Sequence, residues 1–436
     1  MTHLSIREWG RVPVKVQATI GSFAVSEAEA LISAAKAHPL GGQDGTRILC
    51  DHRHYLKAQQ MVGVIAAPGC SLEILPKVDP DSLDEDTPTV RAQLMSLLDI
   101  ALGLNVNSGI ASVMARGAET LLDLFIRAFA EQLLSETRRG LPRRYVSEHG
   151  DLSALQGRLN VTRQFTTNAV RPDRLACDYD VLSHDIALMQ VMAGAVVALR
   201  KFARIADTQR LLDELRFVLA EVTLLPISSL PWNHVQIDRT NRRWEDLFAL
   251  AKLLLMRDWQ TTHHNDRSRD GLTVLFPMND LFESAVATLL RRGLAGQGIE
   301  VIEQGGLRHC LGEWEQDKNC KGNAFLTRPD LILRRDGQTL AIIDTKWKAL
   351  SSDLSNPTGG ISQNDVYQLM AYARLYECDR LMLLYPSTAG QRSEEIRRFG
   401  INGGKELLSA SRVNMAAPRE QIKDDLVELV AELIKA

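Results

Sequence analysis

The sequence predicts a multi-domain α/β protein with a β-rich N-terminal region, a mainly helical central region and a C-terminal α/β domain. Three observations predict it. In the first 88 residues, short β-branched runs are broken by turn residues, as in "VGVIAAPGCSLEILPKV". Between 90 and 260, apolar residues recur at helical spacing over long stretches. From 272 onward a helix, three strands, a second helix and a fourth strand follow in order, as in a sheet covered by helices.

The chain has 436 residues, enough for two or three domains. Its 45% hydrophobic and 24% charged content is ordinary for globular protein. A net charge of -3 argues against a strongly basic DNA-coating protein, while Arg-rich runs such as "RRGLPRR" (138–144) leave room for a local basic channel. Cys50, Cys70, Cys177, Cys310, Cys320 and Cys378 lie far apart with no CxxC, which argues against zinc. The N-terminus has no signal-peptide pattern. The most apolar run, Ile186–Leu199, is too short to span a bilayer. A reducing, cytoplasmic setting with no membrane partner follows as an expectation.

The expected domains are 1–88, 89–265 and 266–436. The first ends in an acidic stretch with two prolines, "DPDSLDEDTPT" (79–89), read as a linker. Helices in the second are "RAQLMSLLDIALGL", "AETLLDLFIRAFAEQLLSETRRG", "DIALMQVMAGAVVALRKFARIA" and "RRWEDLFALAKLLLMRDW", with a short strand and turn in "LSALQGRLNVTRQFTT". The third opens with a helix over 278–297, for which Asn279 is available as a cap. Strands "IEVIEQ", "LTRPDLILRR" and "TLAIIDTKWK" follow, the last two joined by Asp336-Gly337, a hairpin signal. The helix "QNDVYQLMAYARLYE" and the strand "RLMLLYP" come next, and this fold looks complete within about 272–390.

The stretch "LAIIDTKWKAL" (340–350) carries the chemistry. A strand puts residues i and i+2 on one face, so Asp344 and Lys346 point the same way where the apolar run stops. Hairpin pairing brings Asp330, after Pro329, to the same end. Two carboxylates and an amine are what metal-assisted phosphodiester cleavage requires. Asp330 and Asp344 would hold Mg²⁺, with Mn²⁺ as a substitute, because Mg²⁺ takes one or two carboxylates and keeps waters. Lys346 would orient the attacking water or neutralise charge on the phosphate, and Glu283 would add an outer carboxylate. Gln368 and Tyr372, four apart on one helix face, would position the site or touch the DNA backbone. A surface ion pair at a strand end is the plain alternative; yet no other lysine in the chain has an acid two residues before it.

Other constellations carry less. His52 and His54 have no acidic or cysteine partner, and His263-His264 reads as a polar loop. Cys310 and Cys320 make half a zinc site at most, and Trp232 and Trp244 read as packing residues.

"RPD" (328–330), "DTK" (344–346) and the Gln-x-x-x-Tyr helix (368–372) together resemble the PD-(D/E)xK nuclease superfamily. "MNDLFE" (278–283), "RPDLIL", "IIDTKWK" and "DVYQLMAYA" are similar, as a set, to the McrC family, the nuclease subunit of the McrBC 5-methylcytosine-specific restriction system. "GVIAAPGCSLEILPKV" (63–78), "RRGLPRRYV" (138–146) and "LQGRLNVTRQF" (155–165) match that family in kind and order, while the first 60 residues add only "IREWG". The resemblance implies a restriction-endonuclease-like C-terminal domain with Asp330, Asp344, Lys346 and Glu283 as catalytic residues. It implies a McrB-like AAA+ GTPase ring as partner and methylated or otherwise modified double-stranded DNA as substrate. It also implies that residues 1–265 dock on the ring and stimulate its nucleotide hydrolysis. The chain itself is expected to bind no nucleotide: "GINGGKE" (400–406) has the wrong glycine spacing for a phosphate-binding loop and Glu406 where Ser or Thr belongs. Arg138, Arg139, Arg143 and Arg144 suit docking to a ring, and equally suit a solvated helix end. The alternatives are a nuclease of another AAA+-coupled phage-defence or DNA-repair system, or an adaptor that activates a motor.

Overall fold

The structure, a computed structural model, describes residues 2–77, 87–103, 120–171, 173–255, 272–312, 323–348, 350, 358, 360–387 and 390–435. The chain forms two compact units: residues 1–121 with 263–436, and residues 122–262.

The first unit opens with β1 (Thr2–Arg7), β2 (Arg11–Lys15), β3 (Phe23–Ala24), α1 (Val25–Ala37), β4 (Leu49–Asp51), β5 (Tyr55–Ala58), β6 (Met61–Ala67), β7 (Cys70–Leu75) and α2 (Thr87–Leu102). Strands β3-β2-β5-β4 form one small sheet, and β1-β7-β6 belong to a second. α1 buries Ala28, Leu31, Ala34 and Ala35, the stripe expected of a half-buried helix. These meet Phe23, Ile65, Leu72 and Ile74 in a shared core. Each such leucine or isoleucine contributes roughly 2 kcal/mol on burial. Below α2, Arg91 forks onto the fully buried Glu73, with bonds of 2.8 and 2.6 Å. Burial pushes the Glu73 carboxyl up, but Arg91, Ser5 and the Leu121 N–H outweigh it and hold the group below its ordinary range.

The middle of the chain carries α3 (Leu121–Arg138), β8 (Arg144–Leu152), β9 (Arg158–Leu159), α4 (Val161–Phe165), β10 (Leu175–Ser183), α5 (Ala187–Arg200), α6 (Ala206–Val218) and α7 (Glu245–Leu255). The expected helices are there, and with them a long antiparallel β8–β10 ribbon that the sequence reading reduced to one short strand. β8 is mostly exposed and shows no apolar alternation. Its cross-strand pairs are polar, His149 with Asp178 at 2.6 Å and Ser147 with Asp180 at 2.6 Å. The four arginines offered for docking have partners within this unit: Arg138 with Glu214, Arg139 with Glu136, Arg143 with His184 and Arg144 with Asp238.

The first unit resumes with β11 (Leu272–Pro277), α8 (Met278–Gly293), β12 (Glu300–Glu303), β13 (Arg308–Leu311), β14 (Ala324–Thr327), β15 (Leu331–Arg335), β16 (Gln338–Thr345), α9 (Gln363–Tyr376), β17 (Arg380–Pro386), β18 (Glu394–Gly400), β19 (Leu407–Val413) and α10 (Arg419–Lys435). Its main sheet has the order β12-β15-β16-β17-β19-β18. β15 and β16 turn through Asp336 and Gly337 with φ of 50° and 81°, the double positive φ that Asp-Gly favours. β17 lies parallel to β16, with α9 as the crossover. One face receives Leu369, Tyr372, Ala373 and Tyr376 of α9; α8 and α10 pack against the sheet as well. Cover on both faces explains why "LAII" and "LMLLY" run apolar without alternating.

Residues 1–88 and 266–436, expected as separate domains, fall in one compact unit. The reason is β11, which pairs antiparallel with β6 and completes the N-terminal sheet as β1-β7-β6-β11. Gly63 allows the approach. Its φ is 130°, and a Cβ there would sit 2.0 Å from the Val274 carbonyl oxygen. The main sheet also runs past 390, where the sequence reading ended it, since β19 at 407–413 separates β17 from β18. "GINGGKE" is the β18–β19 turn, closed by the Ile401 N–H donating to the Glu406 carbonyl. His52 stacks on Tyr55, Trp232 leans on Phe248 and Trp244 is fully buried. His263, His264 and Cys320 lie outside the described residues. Among the described residues no helix is long and apolar enough to cross a membrane.

Candidate active site

The β15–β16 hairpin brings the two aspartates together. Leu331 pairs with Ile343, so Asp330 and Asp344 are the next positions at the same end of the two strands. Thr345 fixes Asp330: its backbone N–H and its hydroxyl both donate to Asp330 Oδ2, over 2.7 and 2.9 Å. Lys346 continues the parallel pairing by donating its N–H to the Leu384 carbonyl at 2.9 Å. Its Nζ lies 2.6 Å from Asp344 Oδ2. Asp344 is fully buried, where an open strand end would have left it in water.

α8 supplies Glu283, 6% exposed. Asn279 is not the cap of this helix. Pro277 is the capping residue, and Asn279 Oδ1 instead accepts the Trp347 N–H at 3.3 Å and the Gln60 amide at 3.3 Å. From α9, the Gln368 amide donates to the Tyr372 hydroxyl at 2.7 Å, and that hydroxyl donates to the Arg328 carbonyl at 3.2 Å. The pair therefore holds the backbone two residues ahead of Asp330. Gln304, just past β12, was missed in the sequence. It has φ of 48°, uncommon for a residue with a side chain. Its N–H donates to the Asp330 carbonyl at 2.8 Å, and its side-chain amide reaches Glu283 Oε2 at 3.4 Å. A residue held in that conformation beside converging carboxylates is a functional signal, and nothing in the sequence pattern marks it.

The electrostatics are those of crowded, poorly solvated acids. Burial, then the Asp330 charge, push the Glu283 carboxyl up to about 8. Burial and Asp330 likewise push Asp344 up to about 6, against the pull of Lys346. Asp330 is raised by burial despite the two bonds from Thr345. Burial opposes the charged form of Lys346, yet Asp344 and Asp330 hold its ammonium above the ordinary value.

The residues fit a divalent cation by this measure: Asp344 Oδ1 and Glu283 Oε1 are buried without a hydrogen-bond partner. A cation would satisfy oxygens that nothing in the protein satisfies. Among the described residues no three His, Cys, Asp or Glu side chains form a ready-made cage. Mg²⁺ does not require one, since one or two carboxylates with retained waters suffice.

A family model described as the McrBC 5-methylcytosine restriction system component matches residues 56–386, which include Glu283, Asp330, Asp344 and Lys346. No curated protein matches the chain. Among solved structures, a refined half-complex from the tetradecameric assembly of Thermococcus gammatolerans McrB AAA+ hexamers with bound McrC is similar, with a TM-score of 0.75 and 20% identity over 99% of this chain and 100% of that one. The cryo-EM structure of the Thermococcus gammatolerans McrBC complex is similar with a TM-score of 0.54 and 23% identity, over 67% of this chain and 88% of that one. At these identities the structural matches speak to the fold, which is shared over nearly the whole length. With the family model spanning most of the sequence, the chain belongs to the family of McrBC 5-methylcytosine restriction system components.

Proposed function

We propose that this chain is the nuclease subunit of a modification-dependent restriction complex: a Mg²⁺-dependent endodeoxyribonuclease of the PD-(D/E)xK type, acting in the cytoplasm on modified double-stranded DNA. The observation that carries the reading is the meeting of Asp330, Asp344, Glu283 and Lys346, with buried carboxylate oxygens left unsatisfied. Asp330 and Asp344 would hold the ion, and Mn²⁺ would replace Mg²⁺. When bound, the ion would polarise the scissile phosphate and acidify a water. Thr345 keeps Asp330 in one rotamer through its two donated bonds. Lys346 places an ammonium beside Asp344, where it would donate to a non-bridging phosphate oxygen and offset the growing negative charge. Glu283 Oε1 has no hydrogen-bond partner and would orient a water beside the site, its carboxyl pushed up to about 8 by burial and Asp330.

The partner in this reading is a McrB-like AAA+ GTPase ring, as in the similar structure of McrB hexamers with bound McrC. Residues 1–265 would dock on it and stimulate its nucleotide hydrolysis. That assignment attaches to the region and not to single arginines: Arg138, Arg139 and Arg144 pair with carboxylates inside the chain, and Arg143 donates to His184. The test combines chain, ring, GTP and methylated duplex DNA. Cleavage should require Mg²⁺ or Mn²⁺, stop on chelation and be weak for the chain alone. Cleavage that persists in chelator would defeat the metal assignment. Efficient site-selective cutting by the chain alone would defeat the subunit assignment.

A further inference from the structure

Trp347, the residue after Lys346, is held from three directions. Its indole N–H donates to Glu8 Oε2 at 3.2 Å. Its backbone N–H donates to Asn279 Oδ1, and its ring meets Phe282 edge-on at 5.5 Å. Glu8 stands 339 positions earlier in the chain, immediately after β1. Its N–H donates to the Leu75 carbonyl, and its Oε2 also accepts the Lys77 N–H at 3.0 Å. The contact is closed to water, with Glu8 2% and Trp347 8% exposed.

A carboxyl is a costly group to place here. Its Oε1 is buried without a partner, and burial pushes the group up to about 7 against the bonds from Lys77 and Trp347. An apolar residue would fill the space without that cost. What the carboxyl adds is direction: it accepts one particular indole N–H, beside the lysine of the site. Lys346 is then fixed on both sides, by β17 through its own N–H and by the clamp on Trp347.

We propose that Glu8 is a positioning residue of the nuclease site: by anchoring Trp347 it fixes the backbone from which Lys346 reaches Asp344. The proposal rests on the reading of Asp330, Asp344 and Lys346 as that site. It makes the N-terminal sheet part of the catalytic scaffold, so residues 266–436 do not carry the site alone.

The test uses the full chain in complex with its AAA+ partner. Glu8→Ala and Trp347→Phe should each lower kcat for DNA cleavage about 10-fold, the scale of losing a group that orients a catalytic residue. KM for DNA and the partner's nucleotide turnover should stay unchanged. Glu8→Gln, which keeps an acceptor oxygen, should recover most of the rate. The double variant Glu8→Ala/Trp347→Phe should be no slower than either single one, since both remove the same bond. In protein labelled with ¹⁵N-tryptophan, the indole resonance that vanishes in Trp347→Phe should move in Glu8→Ala. Wild-type kcat in both single variants, with cleavage still abolished by Asp344→Ala, overturns the proposal and spares the nuclease reading. Full cleavage by Asp344→Ala overturns both. If Glu8→Ala does not fold, Trp347→Phe decides, because it keeps the ring against Phe282.

Discussion

Replacing Glu8 by glutamine should change how stability depends on pH. The carboxyl is faced by the Lys77 N–H and the Trp347 indole, and burial raises it from an ordinary 4.5 to about 7. A carboxyl raised on folding binds its proton more tightly in the folded state. Its contribution is therefore fully present below about 4.5 and is lost as pH rises through about 7. The gap, at about 1.4 kcal/mol per pH unit, is on the order of 3 kcal/mol. Glutamine does not titrate, so Glu8→Gln should gain up to about 3 kcal/mol over wild type between roughly pH 5 and pH 8.5. The assay is urea unfolding of both proteins at the two pH values. It should be read on the transition of the unit that contains Glu8, since two units need not unfold together. A difference between the two proteins that does not vary with pH would refute the reasoning.

Gly63→Ala should separate β6 from β11, because it adds a Cβ 2.0 Å from the Val274 carbonyl at φ of 130°. A loss of at least about 2 kcal/mol is expected, read as a lower thermal midpoint; an unchanged midpoint would contradict the account of that approach. Gln304→Ala removes the amide beside Glu283 and should cut cleavage roughly 10-fold while raising the Mg²⁺ concentration for half-maximal rate. Unaltered metal dependence would show that Gln304 does not act on the carboxylates. Tyr372→Phe should cost about 1 kcal/mol by breaking the bridge from Gln368 to the Arg328 carbonyl, and adding Gln368→Ala should cost little more. Full additivity in that cycle would argue that the two side chains do not act as a unit.

What was legible in the sequence was local. Asp336-Gly337 announces its hairpin because few residue pairs adopt two positive φ values cheaply. Once that turn is placed, pairing carries Asp330 to Asp344, and the strand period carries Lys346 beside them. Gln368 and Tyr372 follow from helix spacing, although their work is on the backbone before Asp330. What was not legible depends on tertiary contact. Glu8 reads as an ordinary polar residue until Trp347 arrives from the far end of the chain. β11 reads as the start of a new domain, but its partner is β6. The β8–β10 ribbon buries too little apolar surface to print a period-two pattern. Asn279 carries a genuine cap signal that the fold uses otherwise, since the Trp347 N–H claims its oxygen.

Asp330, Asp344 and Lys346 are the residues proposed to cut DNA. The most direct measurement compares wild type with Asp344→Ala in the complete complex, with DNA cleavage and nucleotide turnover read in the same reaction. Asp344 is fully buried, yet its Oδ1 has no hydrogen-bond partner, so alanine removes the proposed metal ligand and, with it, the repulsion from Asp330. Cleavage should fall by more than about 100-fold, beyond what losing an outer-shell group costs, while the partner's nucleotide turnover and its stimulation by the chain persist. Cleavage by Asp344→Ala at the wild-type rate would contradict the account.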